Sequence, residues 1–205
     1  MTISLAIDTA TSRTIVAIVD DGKVLFESFH EGAMDHGKAI SELVSQALKV
    51  CPVPNQVVVG MGPGPFTGLR VGIAAAKMFA EGVSAPIYGV GSLDAIAFAN
   101  SLDEPTLVLT DARRSEVFFG LYQGKTAAGV PKALLGPGVK KQAELEAQLQ
   151  VEGHSYLLAN TQVSAANLGL LGLAQLAEGT ANTSVVANYL RAPDAVPAKG
   201  KKVSG

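Results

Sequence analysis

Residues 5–23 read LAIDTATSRTIVAIVDDGK, and residues 108–125 read VLTDARRSEVFFGLYQGK. Each stretch contains an apolar strand that ends at an aspartate, a polar turn, a second apolar strand and a Gly-Lys turn. The two aspartates, Asp8 and Asp111, lie 103 residues apart, about half of the 205-residue chain. This spacing predicts an internal duplication. The alternative is a chance likeness between two β-hairpins.

Strand and helix patterns alternate through the rest of the chain. Strands are predicted at 3–8, 14–19, 23–30, 56–61, 86–90, 106–111, 116–123 and 155–159. Helices are predicted at 35–50, 67–81, 92–99, 140–150 and 165–178, with Asp35 and Ser92 as N-caps of the first and third. The Gly-Pro-Gly sequence at 136–138 indicates a loop.

The order of these elements predicts the fold class. Two halves of the form β-β-β-α-β-α indicate a duplicated ribonuclease-H-like α/β fold, the actin-like ATPase or ASKHA architecture. We expect one actin-like subdomain at 1–103, with the partner-binding helices, and a second at 104–192. Residues 193–205, which include three lysines, are expected to form a flexible basic tail.

Composition excludes several classes of protein. Hydrophobic residues make up 48%, which excludes an intrinsically disordered chain. The 16 basic and 18 acidic residues leave no positive excess for holding nucleic acid unaided. A single cysteine, Cys51, excludes a disulfide framework and a cysteine-based zinc site. Without a signal-peptide pattern or a long apolar run, a cytoplasmic protein that does not enter membranes is expected.

Asp8 and Asp111 are the first candidates for a functional site. In nucleotide-binding members of this architecture, a glycine two residues after the strand-end aspartate lets a phosphate approach the backbone. Ala10 and Arg113 occupy those positions here, so no complete ATPase site is expected. Asp8, Thr9 and Asp111 remain candidates for a vestigial or partner-completed anion site. The alternative is that both aspartates only accept hydrogen bonds within their turns.

The most distinctive motif is GPGPFTGLR at residues 62–70. It lacks the Gly-Lys-Ser/Thr ending of a P-loop. It either presents backbone N–H groups to an anion at a helix N-terminus or forms a rigid strand-to-helix turn. The candidate residues of this motif loop are Gly62, Gly64, Phe66, Thr67, Gly68 and Arg70.

Hydrolytic and metal-dependent chemistry has little support in the sequence. His30, His36 and His154 show neither i,i+4 spacing nor a carboxylate placed for a metal. A Gly-x-Ser-x-Gly nucleophile motif is absent. We therefore expect neither catalytic residues nor a metal site.

Three segments together resemble the TsaB (YeaZ) family of bacterial proteins. They are IDTAT at 7–11, GPGPFTGLRVG at 62–72 and TDARRSEV at 110–117. Residues 189–194, YLRAPD, also resemble the end of this family. The likeness is strong over residues 3–122 and patchy over 130–185. Pro65 stands where the family usually has serine, which disfavours anion binding at that position.

The resemblance implies a non-catalytic subunit in synthesis of N6-threonylcarbamoyladenosine beside the tRNA anticodon. The implied partners are the catalytic subunit TsaD and the ATPase TsaE, with tRNA contacted only through the complex and a homodimer when alone. No cofactor of its own is implied, although ADP or ATP at the boundary with TsaD is a candidate. The implied interface lies on the helices at 35–50 and 67–81, with candidates Ile40, Leu43, Val44, Ala47, Gly72, Ala75, Ala76 and Phe79.

Two other functions are weighed against this one. The first is an independent actin-like ATPase or small-molecule kinase, which the missing turn glycines disfavour. The second is a glycoprotease-like metallopeptidase, which the scattered histidines disfavour.

Overall fold

A computed structural model describes residues 2–51, 53–159 and 162–191 of the chain. The predicted basic tail at 193–205, and Pro193 and Asp194 of the family-like ending, lie outside the described residues.

The first half of the chain forms a five-stranded mixed sheet, called sheet A. Its strands are β1 (Ile3–Asp8), β2 (Arg13–Asp20), β3 (Lys23–Glu31), β4 (Gln56–Gly60) and β5 (Ile87–Val90). The order across the sheet is β3-β2-β1-β4-β5. The first three strands pair antiparallel, whereas β4 runs parallel to both β1 and β5. This arrangement brings the ends of β1 and β4 to the same edge of the sheet.

Three helices belong to the same half: α1 (His36–Val50), α2 (Phe66–Gly82) and α3 (Ser92–Phe98). They begin and end within two residues of the predicted bounds. The helix α1 is amphipathic, and the apolar stripe of its sequence faces sheet A.

The second half repeats the scheme with a smaller sheet, called sheet B. Its strands are β6 (Thr106–Asp111), β7 (Glu116–Lys125), β8 (Pro131–Lys141) and β9 (Leu157–Leu158), in the order β8-β7-β6-β9. Two helices complete this half, α4 (Gln142–Val151) and α5 (Ala165–Ala177). As in the first half, the first strand pairs antiparallel with the second and parallel with the fourth. The duplicated ribonuclease-H-like fold is therefore confirmed.

The core consists of three clusters of buried apolar side chains, which lie between five layers of helices and sheets. The strand β1 alternates between two of them, because Leu5 and Ile7 pack under α1 and α2, whereas Ala6 faces α5. The central cluster joins both sheets through α3 and α5. On the far side, Leu145 and Leu149 of α4 cover the outer face of sheet B. The layers are thus α1/α2, sheet A, α3/α5, sheet B and α4.

Three local predictions are wrong. The Gly-Lys turn predicted after the second strand of the second half lies within β7, which continues to Lys125. Residues 136–138, predicted as a loop, lie inside the strand β8. An edge strand tolerates Pro137, because only one of its sides must supply hydrogen bonds to the sheet. Ser92, predicted as an N-cap, is the first residue of α3, and Gly91 occupies the cap position. The Ser92 side chain makes a long-range contact instead, as described below.

Candidate functional site

The carboxylate of Asp8 is completely buried at the end of β1. Its Oδ2 accepts a hydrogen bond of 2.6 Å from the Ser92 hydroxyl, and its Oδ1 accepts one of 2.7 Å from the Ala10 N–H. Burial raises the pKa of Asp8 from its ordinary value of 3.8 to about 6, although both hydrogen bonds oppose this rise. The predicted turn hydrogen bond is present, and the carboxylate is closed off from solvent.

The next residue, Thr9, is held by the motif loop. Its hydroxyl donates a hydrogen bond of 2.8 Å to the carbonyl oxygen of Gly68, and its exposed fraction is only 1%. Beside it, the Thr14 hydroxyl and Nδ1 of His36 form a buried hydrogen bond of 2.8 Å. Burial lowers the pKa of His36, outweighing the effect of nearby Asp35. Polar contacts therefore tie the first hairpin to the starts of both α1 and α2.

The glycines of the motif region allow the turn after β1 to approach very closely. A Cβ at Gly72 would lie 2.1 Å from Oγ1 of Thr9, and one at Gly64 would lie 2.4 Å from the Ala10 carbonyl oxygen. A Cβ at Gly60 would lie 1.9 Å from Oδ2 of Asp8. Real Cβ atoms do not come this close to a neighbour, so glycine is required at all three positions. The chain's own atoms fill the space around this turn.

The predicted motif loop therefore has two sides. Gly62, Gly64 and Gly68 are buried, and the last two lie against the first hairpin. Thr67 and Arg70 are exposed, and Phe66 is half-buried. The interpretation as a rigid strand-to-helix turn agrees with these contacts. At the start of α2, Pro65 occupies the N-cap position without a capping side chain.

The aspartate of the second hairpin has a different environment. Asp111 is exposed and accepts a hydrogen bond of 2.7 Å from the Arg113 N–H through Oδ1. It lines a shallow surface pocket of about 430 Å³ together with Ser115, Glu116 and Lys141. Asp8 lies in the core, so the two predicted anion-site aspartates do not share one environment.

A C-terminal segment, residues 180–191, links the two halves. The Gly89 N–H donates to the Asn182 carbonyl oxygen over 2.9 Å, and the Asn188 N–H donates to that of Met61 over 2.8 Å. At the end of the segment, Nη1 of Arg191 donates to the Ala112 carbonyl oxygen over 2.7 Å. Arg191 also forms an ion pair with Glu116. No local sequence signal could have revealed these long-range pairs.

Most of the predicted interface residues are covered by the chain itself. Ile40, Leu43, Ala47, Gly72 and Ala76 are buried in the packing of α1 and α2 against sheet A and the first hairpin. An amphipathic helix on a sheet uses its apolar stripe in this way.

Three predicted interface residues are half-buried: Val44, Ala75 and Phe79. Next to them on the outer side of α2 lie Ala74, which is exposed, and Met78, whose exposed fraction is 76%. A partner could reach this outer face without opening the core.

Within the residues that the structure describes, no three His, Cys, Asp or Glu side chains are grouped so as to hold a metal ion. In the same part of the chain, no helix has the length and apolar character needed to cross a membrane.

Comparison with known proteins decides the family. A family model described as TsaD, tRNA N6-adenosine threonylcarbamoyltransferase, matches residues 30–194. An uncharacterised Mycobacterium tuberculosis protein is 38% identical over 207 residues, covering 94% of this chain and 93% of that protein. The tRNA threonylcarbamoyladenosine biosynthesis protein TsaB of Bacillus subtilis is 36% identical over 127 residues.

The chain belongs to the TsaD family and resembles its TsaB members. The match to the Bacillus subtilis TsaB covers 59% of this chain and 55% of that protein. The structure of YeaZ from Pseudomonas aeruginosa has a TM-score of 0.75 and 22% identity, covering 93% of this chain and all of that chain. This likeness confirms the TsaB/YeaZ fold.

Within the TsaB fold, the arrangement around Asp8 favours packing over chemistry. Every polar group described there is used in holding the hairpin, the motif loop and α3 together. The outer face of α1 and α2 remains open to solvent.

Proposed function

We propose that this chain is a non-catalytic subunit in the synthesis of tRNA N6-threonylcarbamoyladenosine, and that it acts by binding the catalytic subunit TsaD. Membership of the TsaD family and the likeness to TsaB proteins support a role in this modification. Binding would hold TsaD in its competent conformation, which is a population shift produced by differential affinity.

The closed first hairpin is the observation that carries the non-catalytic role. Its turn is the place where nucleotide-binding relatives are expected to receive phosphates. Here Thr9 and Ala10 are buried beneath the motif loop, with exposed fractions of 1% and 2%. The chain is therefore proposed to bind no nucleotide by itself, and ADP or ATP would enter only at the boundary with TsaD.

The outer face of α1 and α2 is the proposed surface for TsaD. Val71, Ala74, Ala75 and Met78 lie at i, i+3, i+4 and i+7 spacing, which places them along one side of α2. Their small or flexible side chains permit close helix packing. This face replaces the buried residues Ile40, Leu43, Ala47, Gly72 and Ala76 as the expected contact. A stable complex needs about 1,600 Å² of total buried surface, so α1 must also contribute.

Charge substitutions on this face test the proposal. Ala74→Glu and Met78→Glu should abolish binding to the TsaD of the same organism, measured by calorimetry, while circular dichroism and thermal unfolding stay unchanged. Val151→Glu on α4 is the matched control, because Val151 is 88% exposed on the opposite outer layer. Ile40→Asp should instead unfold the chain, because its side chain is 5% exposed in the core.

Modification of tRNA in a reconstituted system provides the functional readout. The complete system should contain TsaD, the ATPase TsaE and this chain, and omission of this chain should abolish the modification. Unchanged modification without it would contradict the proposal. ATP binding at micromolar affinity by the isolated chain would contradict the non-catalytic role and favour an actin-like ATPase.

The homodimer that the resemblance implies would use the same outer face. If so, Met78→Glu should convert the isolated chain to a monomer in sedimentation experiments, whereas Val151→Glu should leave the dimer intact. A dimer that survives Met78→Glu would place self-association elsewhere.

A further inference from the structure

The turn of the second hairpin is more open than that of the first. Arg113, Arg114 and Ser115 are all exposed, whereas of their counterparts after Asp8, Ala10 is buried, Thr11 is half-buried and Ser12 is exposed. The three exposed residues have φ values of 62°, 55° and 60°. Left-handed backbone at three successive non-glycine residues is strained, and strain of this kind is concentrated at functional sites. The strained turn holds two guanidinium groups at the surface.

The C-terminal segment joins this turn to the motif loop. The ring of Tyr189 lies 4.8 Å from that of Phe66, centroid to centroid. Two residues later, Arg191 is bonded to the carbonyl oxygen of Ala112, next to Arg113. On the other side, the guanidinium of Arg70 lies over the Phe66 ring at 5.0 Å. We call Phe66, Arg70, Arg113, Arg114 and Tyr189 the junction surface.

The junction surface carries the positive charges of Arg70 and Arg113. Among the described residues, no carboxylate forms an ion pair with either of them. The nearby carboxylate of Glu116 is paired with Arg191, whereas that of Asp111 is exposed and accepts only the backbone N–H of Arg113. Tyr189 is 41% exposed, so part of its ring is open to a further stacking partner.

We propose that the junction surface contacts an unpaired segment of RNA within the assembled complex. Unpaired bases stack on aromatic rings and guanidinium planes, and phosphates pair with arginine. Here the C-terminal segment connects the aromatic pair with the arginine-bearing turn, where the two halves meet. This proposal rests on the proposed function, which supplies tRNA as the substrate.

The overall charge explains why the complex is needed. The whole chain has a net charge of −2, so a small set of arginines cannot hold RNA alone at physiological salt. The junction surface would orient an RNA that other subunits also hold.

The test uses the complex of this chain with TsaD and a fluorescent tRNA anticodon stem-loop. Arg70→Glu, Arg113→Glu and Tyr189→Ala should each weaken binding, Tyr189→Ala by about tenfold. Each arginine variant should also reduce the slope of log affinity against log salt by about 0.7. Lys23→Glu is the matched charge control, because Lys23 is exposed at the start of β3, at the opposite end of sheet A.

Two further variants exclude a purely structural effect. Tyr189→Phe keeps the ring and should bind RNA like the wild type, and Arg70→Lys should keep the salt slope while losing part of the affinity. Affinity for TsaD is measured in parallel for every variant.

The outcomes separate this inference from the function on which it rests. If the wild-type chain fails to bind TsaD, the proposed function is wrong and this inference falls with it. If the complex forms but the junction variants match Lys23→Glu in RNA affinity and salt slope, only this inference is overturned. If the variants lose affinity for TsaD but RNA affinity is unchanged, the junction surface contacts protein, and the proposed RNA contact is also overturned.

Discussion

The hydroxyl of Ser92 donates a hydrogen bond of 2.6 Å to the buried carboxylate of Asp8, although 84 residues separate them in the chain. Ser92 also accepts a weaker hydrogen bond of 3.3 Å from the Gly62 N–H. One side chain therefore joins the end of β1, the motif loop and the start of α3. Burial favours the protonated form of this carboxylate although its hydrogen bonds oppose the effect, and this makes stability dependent on pH.

Asp8→Asn should stabilise the chain at neutral pH. The pKa of Asp8 rises from 3.8 to about 6 on folding, so the folded state binds more protons between pH 4 and pH 6. Stability due to this group therefore falls as pH rises through that window, by about 3 kcal/mol at 1.36 kcal/mol per pKa unit. Asparagine removes the buried charge and can still accept the Ala10 N–H.

Urea unfolding at pH 4 and pH 7.5 measures the effect. The difference in unfolding free energy between Asp8→Asn and wild type should be larger at pH 7.5 by up to about 3 kcal/mol. Asp20→Asn serves as a control at the other end of the same hairpin. An equal difference at both pH values would show that Asp8 is not protonated preferentially in the folded state.

Gly72→Ala should destabilise the chain while a matched change in the same helix does not. A Cβ at Gly72 would lie 2.1 Å from Oγ1 of Thr9, whereas one at Gly82 would have no atom within 4 Å. We expect a loss of about 2 kcal/mol or more for Gly72→Ala, because overpacking forces the hairpin away from α2. Gly82→Ala should gain up to about 1 kcal/mol from helix propensity. Equal thermal midpoints for the two variants would contradict the close approach.

Local sequence signals were sufficient to predict most of the fold. The alternation of Leu5 and Ile7 with Ala6, and its repetition near Asp111, follows the period of two by which a strand directs successive side chains to opposite faces. Proline and glycine mark the motif loop because their backbone preferences are strong. These signals depend only on residues close together in the chain, so the duplication can be predicted from the sequence alone.

Contacts between distant segments could not be predicted. The pair of Asp8 with Ser92 and that of Glu116 with Arg191 join residues 84 and 75 positions apart. Ser92 lies at the start of a helical pattern, so its sequence context favours an N-cap as strongly as any other role. The strand β8 was missed because Gly136 and Pro137 normally mark a turn, and only its place at a sheet edge makes them acceptable.

The sequence could not show whether the apolar side of a helix packs against the chain's own sheet or against a partner. An apolar stripe such as Ile40, Leu43 and Ala47 shows that one side of a helix is buried, but not against what. The structure assigns that stripe to the chain's own sheet. Ala74 and Met78 also follow helical spacing, so sequence alone does not show which side of α2 is buried and which is free.

His36→Asn should remove an acid-dependent loss of stability. Burial lowers the pKa of His36 below 6.5, with Asp35 opposing the shift and His30 adding to it. The unfolded state therefore binds the proton more readily, and stability falls as pH drops below 6.5. Above pH 6.5 the group has no effect on the pH dependence.

Thermal unfolding of wild type and His36→Asn at pH 8 and pH 5 tests this expectation. The asparagine Oδ1 can replace Nδ1 opposite the Thr14 hydroxyl, so the variant should lose only about 1–2 kcal/mol at pH 8 through lost packing. At pH 5 the gap between the two proteins should narrow. A gap that widens at pH 5 would show that protonated His36 is favoured by folding.

The ion pair of Arg191 with Glu116 should fasten the C-terminal segment to the second half. Arg191→Ala removes this pair and the hydrogen bond to the carbonyl oxygen of Ala112, which is buried. Both side chains are about a quarter exposed, so we expect a moderate loss of about 1–2 kcal/mol. Glu116→Gln should cost less, and the double variant should show coupling of at least about 0.5 kcal/mol.

Hydrogen exchange distinguishes local loosening from general destabilisation. The amides of Asn188 and Gly89 bond to Met61 and Asn182, so they should exchange faster in Arg191→Ala. Amides of β1 should keep their protection, because sheet A packs independently of this ion pair. Additive free energies in the double-mutant cycle, with unchanged exchange at Asn188 and Gly89, would mean that the segment is held by Val185 and Tyr189 without help from Arg191.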